Sequence, residues 1–145
     1  MQHRSTVFEL SCAPIPTVRI ALVGAGQRGR ATLSRYAYVE GAEFRAVVDP
    51  DPTAVASALE LLREQRRPIP ETSTNADAWR ELCRHEDIDL IYICTDWSNH
   101  AAMAVEAMRC GKHVAVEVPA ATTVADCWEL VRTAEATQRH CFMNE

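Results

Sequence analysis

The stretch "TVRIALVGAGQRGR", residues 17–30, combines three signals that together predict one kind of fold. It begins with a short, almost continuous apolar run, which is typical of a parallel strand covered on both faces. The run leads directly into Gly24-x-Gly26-x-x-Gly29 and then into a predicted helix that continues to about Tyr38. A strand, a glycine-rich turn and a helix in this order predict the first unit of a dinucleotide-binding α/β domain.

The rest of the chain repeats the pattern of apolar strand and helix. Further strands are predicted in "FRAVVD" (44–49), "IDLIYICT" (88–95) and "KHVAVEV" (112–118), and "HCFMNE" (140–145) looks like the start of another. Strands that alternate with helical segments indicate a parallel sheet. We therefore predict a Rossmann-like, doubly wound parallel sheet in a single domain, residues 17–145, preceded by a poorly ordered leader, residues 1–16.

Several residues between these strands are typical of helix ends. Asp51 and Pro52 suit an N-cap and a first-turn proline, and Gly111 suits a C-cap. The pairs Thr74 with Asp77 and Thr123 with Asp126 are predicted capping boxes.

Composition excludes several classes of partner. The 145 residues carry a net charge of −5 with both signs interspersed, so no basic stripe is available for nucleic acid or for a membrane surface. The six cysteines form no C-x-x-C pair and no cluster with histidine, which argues against a metal site and favours reduced thiols. Because no signal peptide or membrane-spanning run is evident, we expect a cytoplasmic protein.

The glycine turn and the acid after the second strand predict the cofactor. Gly24 would allow the tight turn, Gly26 the close approach of a pyrophosphate, and Gly29 the packing of helix on strand. Asp49 follows Gly29 by about 20 positions, where an acid accepts hydrogen bonds from the adenosine ribose. A carboxylate there favours NAD over NADP, although Arg28 could serve either the pyrophosphate or a 2′-phosphate.

Two further strand ends carry polar or aromatic residues, "TDWSNH" (95–100) and "EVP" (117–119). With the glycine turn, the acid and the "GKHV" (111–114) at the start of the strand predicted in 112–118, they resemble the Gfo/Idh/MocA family of NAD(P)-dependent sugar oxidoreductases. The resemblance implies an N-terminal domain that ends before the family's C-terminal α+β domain. It also makes a cis peptide bond before Pro119 a specific expectation, since relatives commonly use one there.

One position differs from the wider family. Its members usually have lysine where this chain has Val118, and valine has no proton to exchange with a substrate hydroxyl. "TDWSNH", "GKHVAVEVPAA", "DCWELV" and "RHCFMNE" are similar to glycoside hydrolase family 109, in which Glu-Val-Pro is normal. The motifs and these resemblances together give the predicted cofactor-binding residues: Gly24, Gly26, Gln27, Arg28, Gly29, Asp49, Thr95, Trp97, His100, Glu117 and Val118.

The resemblance implies cleavage of α-N-acetylgalactosaminides by NAD-assisted oxidation, elimination, water addition and reduction. Catalytic residues stay unassigned, because in that family they lie in the C-terminal domain; a sugar or glycoside would bind only with that domain, and we expect the 145 residues alone to be inactive. The alternatives are an NAD-dependent sugar oxidoreductase and a nucleotide-binding module without catalysis. Self-association into a homo-oligomer is a further expectation.

Several of these side chains have an alternative, structural interpretation. Trp97 could be a half-buried aromatic residue, His100 a helix-start histidine without a catalytic part, and Glu117 a solvated acid at a strand end. Trp79 and Trp128 are predicted packing residues. Cys127 and Cys141 are predicted to be core or near-core thiols.

Overall fold

The computed structural model describes residues 6–144, which form a parallel sheet covered by helices on both faces. The strands are β1 (Val18–Val23), β2 (Ala42–Val48), β3 (Glu71–Ser73), β4 (Leu90–Ile93), β5 (His113–Glu117) and β6 (Cys141–Asn144). The helices are α1 (Gln27–Tyr36), α2 (Pro52–Glu64), α3 (Ala78–Leu82), α4 (Trp97–Arg109) and α5 (Val124–Thr137). The strand order is β3-β2-β1-β4-β5-β6, so the direction of winding reverses between β1 and β4.

Both faces of the sheet are buried, which explains the continuous apolar runs. Along β1, Ile20 and Leu22 pack on the side of α1 and α2, whereas Ala21 and Val23 pack on the side of α3, α4 and α5. Alternate residues of one strand therefore enter two separate cores. The predicted doubly wound parallel sheet is confirmed.

The predicted helix ends are mostly confirmed. The Asp51 side chain accepts from the Thr53 amide, with Pro52 in the first turn of α2, and the Thr123 hydroxyl accepts from the Asp126 amide at the start of α5. Gly111, with φ +85°, follows α4; its amide and that of Lys112 bond back to the helix carbonyls as in a Schellman motif.

Two helix predictions were wrong. The Thr74 and Asp77 pair forms no capping box, because Ser73 and Asn75 accept from backbone amides two residues ahead, and α3 begins only at Ala78. Helix α1 ends at Tyr36 rather than near Tyr38, because the amides of Tyr38 and Val39 bond to carbonyls three residues back and the chain continues in turns.

Strand β3 was not predicted from the sequence.

The packing predictions are confirmed in part. Trp79 is buried as predicted. Cys141 is partly buried, and burial raises the pKa of its thiol to about 11. Trp128 is exposed: it lies two residues from the buried Leu130, roughly 200° around α5, and so faces away from the sheet. Cys127 is also exposed, in the first turns of the same helix.

Of the predicted leader, residues 1–5 lie outside the described part of the chain. Within the remainder, the Val7 amide donates to the Glu135 carboxylate on α5 (3.3 Å), and the Val7 side chain packs against the core. Among residues 6–144, no helix is both long and apolar enough to cross a membrane.

An ion pair and a buried lysine connect the amino ends of the central strands. The Arg19 guanidinium donates to both oxygens of Asp89 (2.8 and 2.7 Å), and this hydrogen bonding holds the pKa of Asp89 below its usual range. The buried Lys112 ammonium donates to the carbonyls of His85 and Ile88. These contacts join β1, β4 and β5 at the end of the sheet opposite their carboxyl ends.

A histidine at this end joins the last two strands. Nδ1 of His113 accepts from the backbone amide of His140 (3.0 Å), and the two rings lie 5.3 Å apart. Burial lowers the pKa of His113, and the nearby Arg139 and His140 lower it further, while Asp89 raises it. The folded state therefore favours the neutral imidazole.

We predict that the free energy of unfolding decreases as the pH falls below about 6.5, the unfolded pKa of histidine. Below that pH the unfolded chain binds more protons than the folded chain, until the pH has passed the lower pKa of folded His113. Urea unfolding at pH 7.5, 6.5 and 5.5 measures this loss. His113→Asn keeps an acceptor for the His140 amide and cannot titrate, so its loss should be smaller; equal pH dependence in the two proteins contradicts the assignment.

Candidate functional site

The predicted site residues lie along the carboxyl edge of the sheet, around the point between the paired strands β1 and β4 where the direction of winding reverses. A cleft of about 370 Å³ opens there, lined among others by Gly24, Gly26, Asp49, Thr95 and Asn99. In doubly wound sheets this crevice is the usual ligand site.

The three glycines of the turn differ in whether the fold leaves room for a side chain. A Cβ on Gly24, where φ is +96°, would lie 2.4 Å from the Cys94 carbonyl oxygen, and one on Gly29 would lie 2.0 Å from the Gly24 carbonyl oxygen. No atom lies within 4 Å of the place where a Cβ on Gly26 would point. Gly24 and Gly29 are thus required by the fold, whereas Gly26 leaves open space above the loop.

Helix α1 begins against this open space without a side-chain cap. Gly26 is its N-cap residue, no side chain accepts from its first amides, and its first turn contains no acid. The first free amides of a helix and its dipole attract anions. The N-terminus of α1 therefore offers hydrogen-bond donors to an anionic group held over Gly26.

Asp49 lies just beyond β2, at the other end of the cleft. Its Oδ2 accepts from the Ala25 amide (2.7 Å) and its Oδ1 from the Asp51 amide (2.8 Å). Each carboxylate oxygen has two lone pairs, so each can accept one more hydrogen bond. The carboxylate is thus fixed beside the glycine turn and still has acceptor capacity for hydroxyl groups.

In the segment after β4, Trp97 is exposed to solvent whereas His100 is buried. Trp97, the first residue of α4, is 64% exposed, so the half-buried alternative does not hold. His100 is only 1% exposed; Nδ1 faces the Pro119 carbonyl oxygen (2.8 Å) and Nε2 the Thr95 carbonyl oxygen (2.9 Å). The imidazole therefore connects the loops that follow β4 and β5, and both ring nitrogens face protein backbone rather than the cleft.

Glu117 ends β5 and is buried, with 4% exposure, so it is not a solvated strand-end acid. Its Oε1 accepts from the Tyr92 hydroxyl (3.3 Å), and its Oε2 lies 3.8 Å from Nε of Arg28. Val118 follows, and the peptide bond from Val118 to Pro119 is cis, as the resemblance led us to expect. The buried carboxylate thus has two partners, one in the sheet and one in the glycine turn.

Arg28 was predicted to serve either the pyrophosphate or a 2′-phosphate, and its position relative to the two acids bears on that prediction. Glu117 lies at the end of β5 and Asp49 at the end of β2, with β1 and β4 between them. Three strand spacings place these ends about 14 Å apart. Because Arg28 lies beside Glu117, its guanidinium is on the β5 side of the cleft and away from the Asp49 side.

Sequence reasoning missed the polar groups beneath the site. Tyr92 is fully buried in β4, and the Asn144 amide donates to its hydroxyl. Burial raises the pKa of the neighbouring Cys94 thiol to about 12. A tyrosine within the apolar run "IDLIYICT" was the available signal, since a buried phenol needs a hydrogen-bond partner.

The glycine turn and Asp49 have features that suit parts of a dinucleotide. The open space over Gly26 and the free amides of α1 suit a pyrophosphate, and the acceptor capacity of Asp49 suits a ribose. Glu117 and Val118 border the far end of the same edge. Within residues 6–144, no His, Cys, Asp and Glu side chains are grouped closely enough to hold a metal ion.

Curated proteins similar to this chain include an α-N-acetylgalactosaminidase from Bacteroides fragilis, 48% identical over 96% of this chain and 33% of that protein. A glycosyl hydrolase family 109 protein from Phocaeicola vulgatus is 50% identical over 98% of this chain and 34% of its own length. The chain thus spans about a third of the length of these relatives.

Solved structures share the fold. The WlbA dehydrogenase from Chromobacterium violaceum, in complex with NADH and UDP-GlcNAcA, has a TM-score of 0.76 at 25% identity, over 93% of this chain and 37% of that one. A myo-inositol dehydrogenase from Lactobacillus casei, with NAD(H) and myo-inositol, has a TM-score of 0.74 at 25% identity, over 88% and 36% of the two chains.

The family model described as "Oxidoreductase family, NAD-binding Rossmann fold" matches residues 18–145, which include the glycine turn and Asp49. The chain therefore belongs to the Gfo/Idh/MocA oxidoreductase family, as an NAD-binding Rossmann domain.

Proposed function

We propose that this chain is the NAD-binding part of an enzyme that cleaves α-N-acetylgalactosaminides with the help of NAD. The observation that carries the proposal is Val118, directly after the buried Glu117 at the edge of the cofactor cleft. A dehydrogenase of the wider family would have a proton-exchanging lysine there, whereas relatives that are 48–50% identical are named as glycosidases or glycosyl hydrolases.

In the proposed mechanism, the chain binds and orients the cofactor. The amides of Gln27 and Arg28 hold the pyrophosphate, Asp49 accepts from the adenosine ribose, and Glu117 and Val118 border the nicotinamide. Thr95 and Trp97 line the same edge, and His100 holds its two loops together. When bound, NAD supplies reversible two-electron oxidation of a sugar alcohol, so a full cycle consumes no cofactor.

In this proposal, Val118 determines which part of the enzyme transfers protons. Its side chain has no proton to exchange with a substrate hydroxyl. The protons of the oxidation and elimination steps would therefore be moved by residues of the sugar-binding part. The sugar itself, the self-association of the enzyme and its cytoplasmic location belong to the same proposal; the six free thiols suit a reducing compartment.

An NAD-dependent sugar oxidoreductase is the second candidate, favoured by the likeness to the two dehydrogenase structures. The two candidates differ in cofactor balance. An oxidoreductase accumulates NADH in proportion to the sugar that it oxidises, whereas the glycosidase releases the aglycone without net NADH.

A chimera tests the proposed function. We would replace the matching third of the Bacteroides fragilis α-N-acetylgalactosaminidase with this chain and assay an aryl α-N-acetylgalactosaminide. We expect release of the aryl group without a lasting rise in absorbance at 340 nm. A folded, NAD-loaded chimera that instead accumulates NADH would favour the oxidoreductase, and one that catalyses neither reaction contradicts the glycosidase.

Gly26 provides a test of the phosphate cradle. Gly26→Leu should leave the fold intact, because the added side chain enters open space and φ of −63° suits any residue. The same side chain fills the cradle, so we expect NAD affinity to fall at least about tenfold, or about 1.4 kcal/mol. Calorimetric titration of both proteins measures it. Gly24→Ala is the contrasting variant: it should lower thermal stability, because its Cβ meets the Cys94 carbonyl.

Asp49 provides a test of cofactor choice. A 2′-phosphate would lie against the Asp49 carboxylate while Arg28 lies across the cleft, so we expect NADP⁺ to bind at least about 30-fold more weakly than NAD⁺, or about 2 kcal/mol. Asp49→Ser should reduce this ratio. Asp51→Asn, which removes a nearby charge and keeps a capping residue, should not; equal affinities in the unaltered chain refute the assignment.

A further inference from the structure

Tyr92 is a fully buried phenol at the centre of the sheet, and the binding scheme above does not use it. Its ring lies among the apolar residues that β1, α1 and β4 contribute to one core. A buried hydroxyl is costly unless it forms hydrogen bonds, so its place in this core calls for a polar reason.

Strand register brings three polar side chains together on that face. Tyr92 pairs with Ala115 on β5, and Glu117 lies two residues further along the same face. Glu117 in turn pairs with Asn144 on β6. Because side chains repeat every two residues, Tyr92, Glu117 and Asn144 all point to the side of α1.

The ring of Tyr92 is held by other aromatic residues. Tyr36 meets it edge to face, with ring centroids 5.7 Å apart and planes at 88°. Tyr36 contacts Phe44 in the same way at 5.9 Å. Such contacts fix the ring plane, and with it the position of the hydroxyl oxygen.

The hydroxyl is placed to donate to Glu117. The Asn144 amide donates to the phenolic oxygen. The phenolic hydrogen then points to Oε1 of Glu117. Burial raises the pKa of Tyr92, so the phenol keeps this hydrogen at neutral pH.

Glu117 depends on this bond for its orientation. Its other recorded partner is Arg28, whose side chain is 63% exposed and whose Nε lies 3.8 Å away. A contact of that length to an exposed cation restrains a carboxylate weakly. Without the phenol, Glu117 would be free to turn toward Arg28 and solvent.

We propose that Tyr92 is a positioning residue of the cofactor site: its hydroxyl holds the Glu117 carboxylate in the orientation that NAD binding uses, and Tyr92 itself does not touch the cofactor. This inference rests on the proposed contact between Glu117 and NAD.

A double-mutant cycle tests the proposal by NAD⁺ titration of the purified chain. Tyr92→Phe removes only the hydroxyl, and we expect its dissociation constant for NAD⁺ to rise about tenfold. In a Glu117→Ala background the same change should alter the constant less than about twofold, because the group through which Tyr92 acts is gone. An equal effect in both backgrounds indicates a structural role alone and overturns the proposal.

Two further variants complete the test. Tyr36→Phe is the control: it removes a hydroxyl from the same aromatic cluster but leaves the bond between Tyr92 and Glu117 in place. The affinity of this variant for NAD⁺ should match that of the unaltered chain. If Tyr92→Phe does not fold, Asn144→Ala replaces it, with a rise of about threefold that again disappears with Glu117→Ala. Unchanged affinity in the folded variant overturns this inference alone, whereas a folded, unaltered chain without NAD binding overturns the proposed function as well.

Discussion

The contact between the glycine turn and the end of β4 determines the geometry of this edge of the molecule. The Gly24 backbone lies so close to the Cys94 carbonyl that no side chain fits, and Gly29 lies equally close to the Gly24 carbonyl. The end of β1 is also bonded to both neighbouring strands, through Val23 to Cys94 and through Gly24 to Val48. Backbone contacts therefore set how closely α1 approaches the sheet. They also set where its free amides point. Over the third glycine of the turn, Gly26, the cleft stays open, because no atom lies within 4 Å of the place where a Cβ would point.

Two carboxylates lie at this edge of the sheet, and both have partners within the protein. Asp49 accepts from two backbone amides, and Glu117 accepts from the Tyr92 phenol and lies near the Arg28 guanidinium. Groups that are already oriented lose little conformational entropy when they bind, so more of their interaction energy is available for affinity. The two acids also give the two ends of this edge different electrostatic properties. One end has a carboxylate with unused acceptor capacity, and at the other end the carboxylate lies near Arg28, which places the positive charge away from Asp49.

Much of the fold and part of the site follow from local sequence. The glycine turn, the strand-end acid, the Asp51 cap and the Gly111 cap depend on residues close in the chain, where spacing and stereochemistry act directly. Strand β3 was missed because three residues, mostly exposed, show no periodicity. The contacts of His100 and Tyr92 were missed for another reason. Their partners lie 19 and 25 residues away, and strand register, which the sequence does not state, brings them together.

The same contacts explain what this edge can do chemically. Both nitrogens of His100 face backbone carbonyls, burial raises the pKa of the Tyr92 phenol and brings that of the Cys94 thiol to about 12, and Val118 carries no proton. Among the described residues, the histidine, tyrosine and cysteine of this edge are thus committed to structure rather than to proton transfer. A domain built in this way binds and orients a dinucleotide without selecting the reaction. That separation allows one scaffold to occur in sugar dehydrogenases and in glycosidases, with the chemistry chosen by the groups placed opposite it.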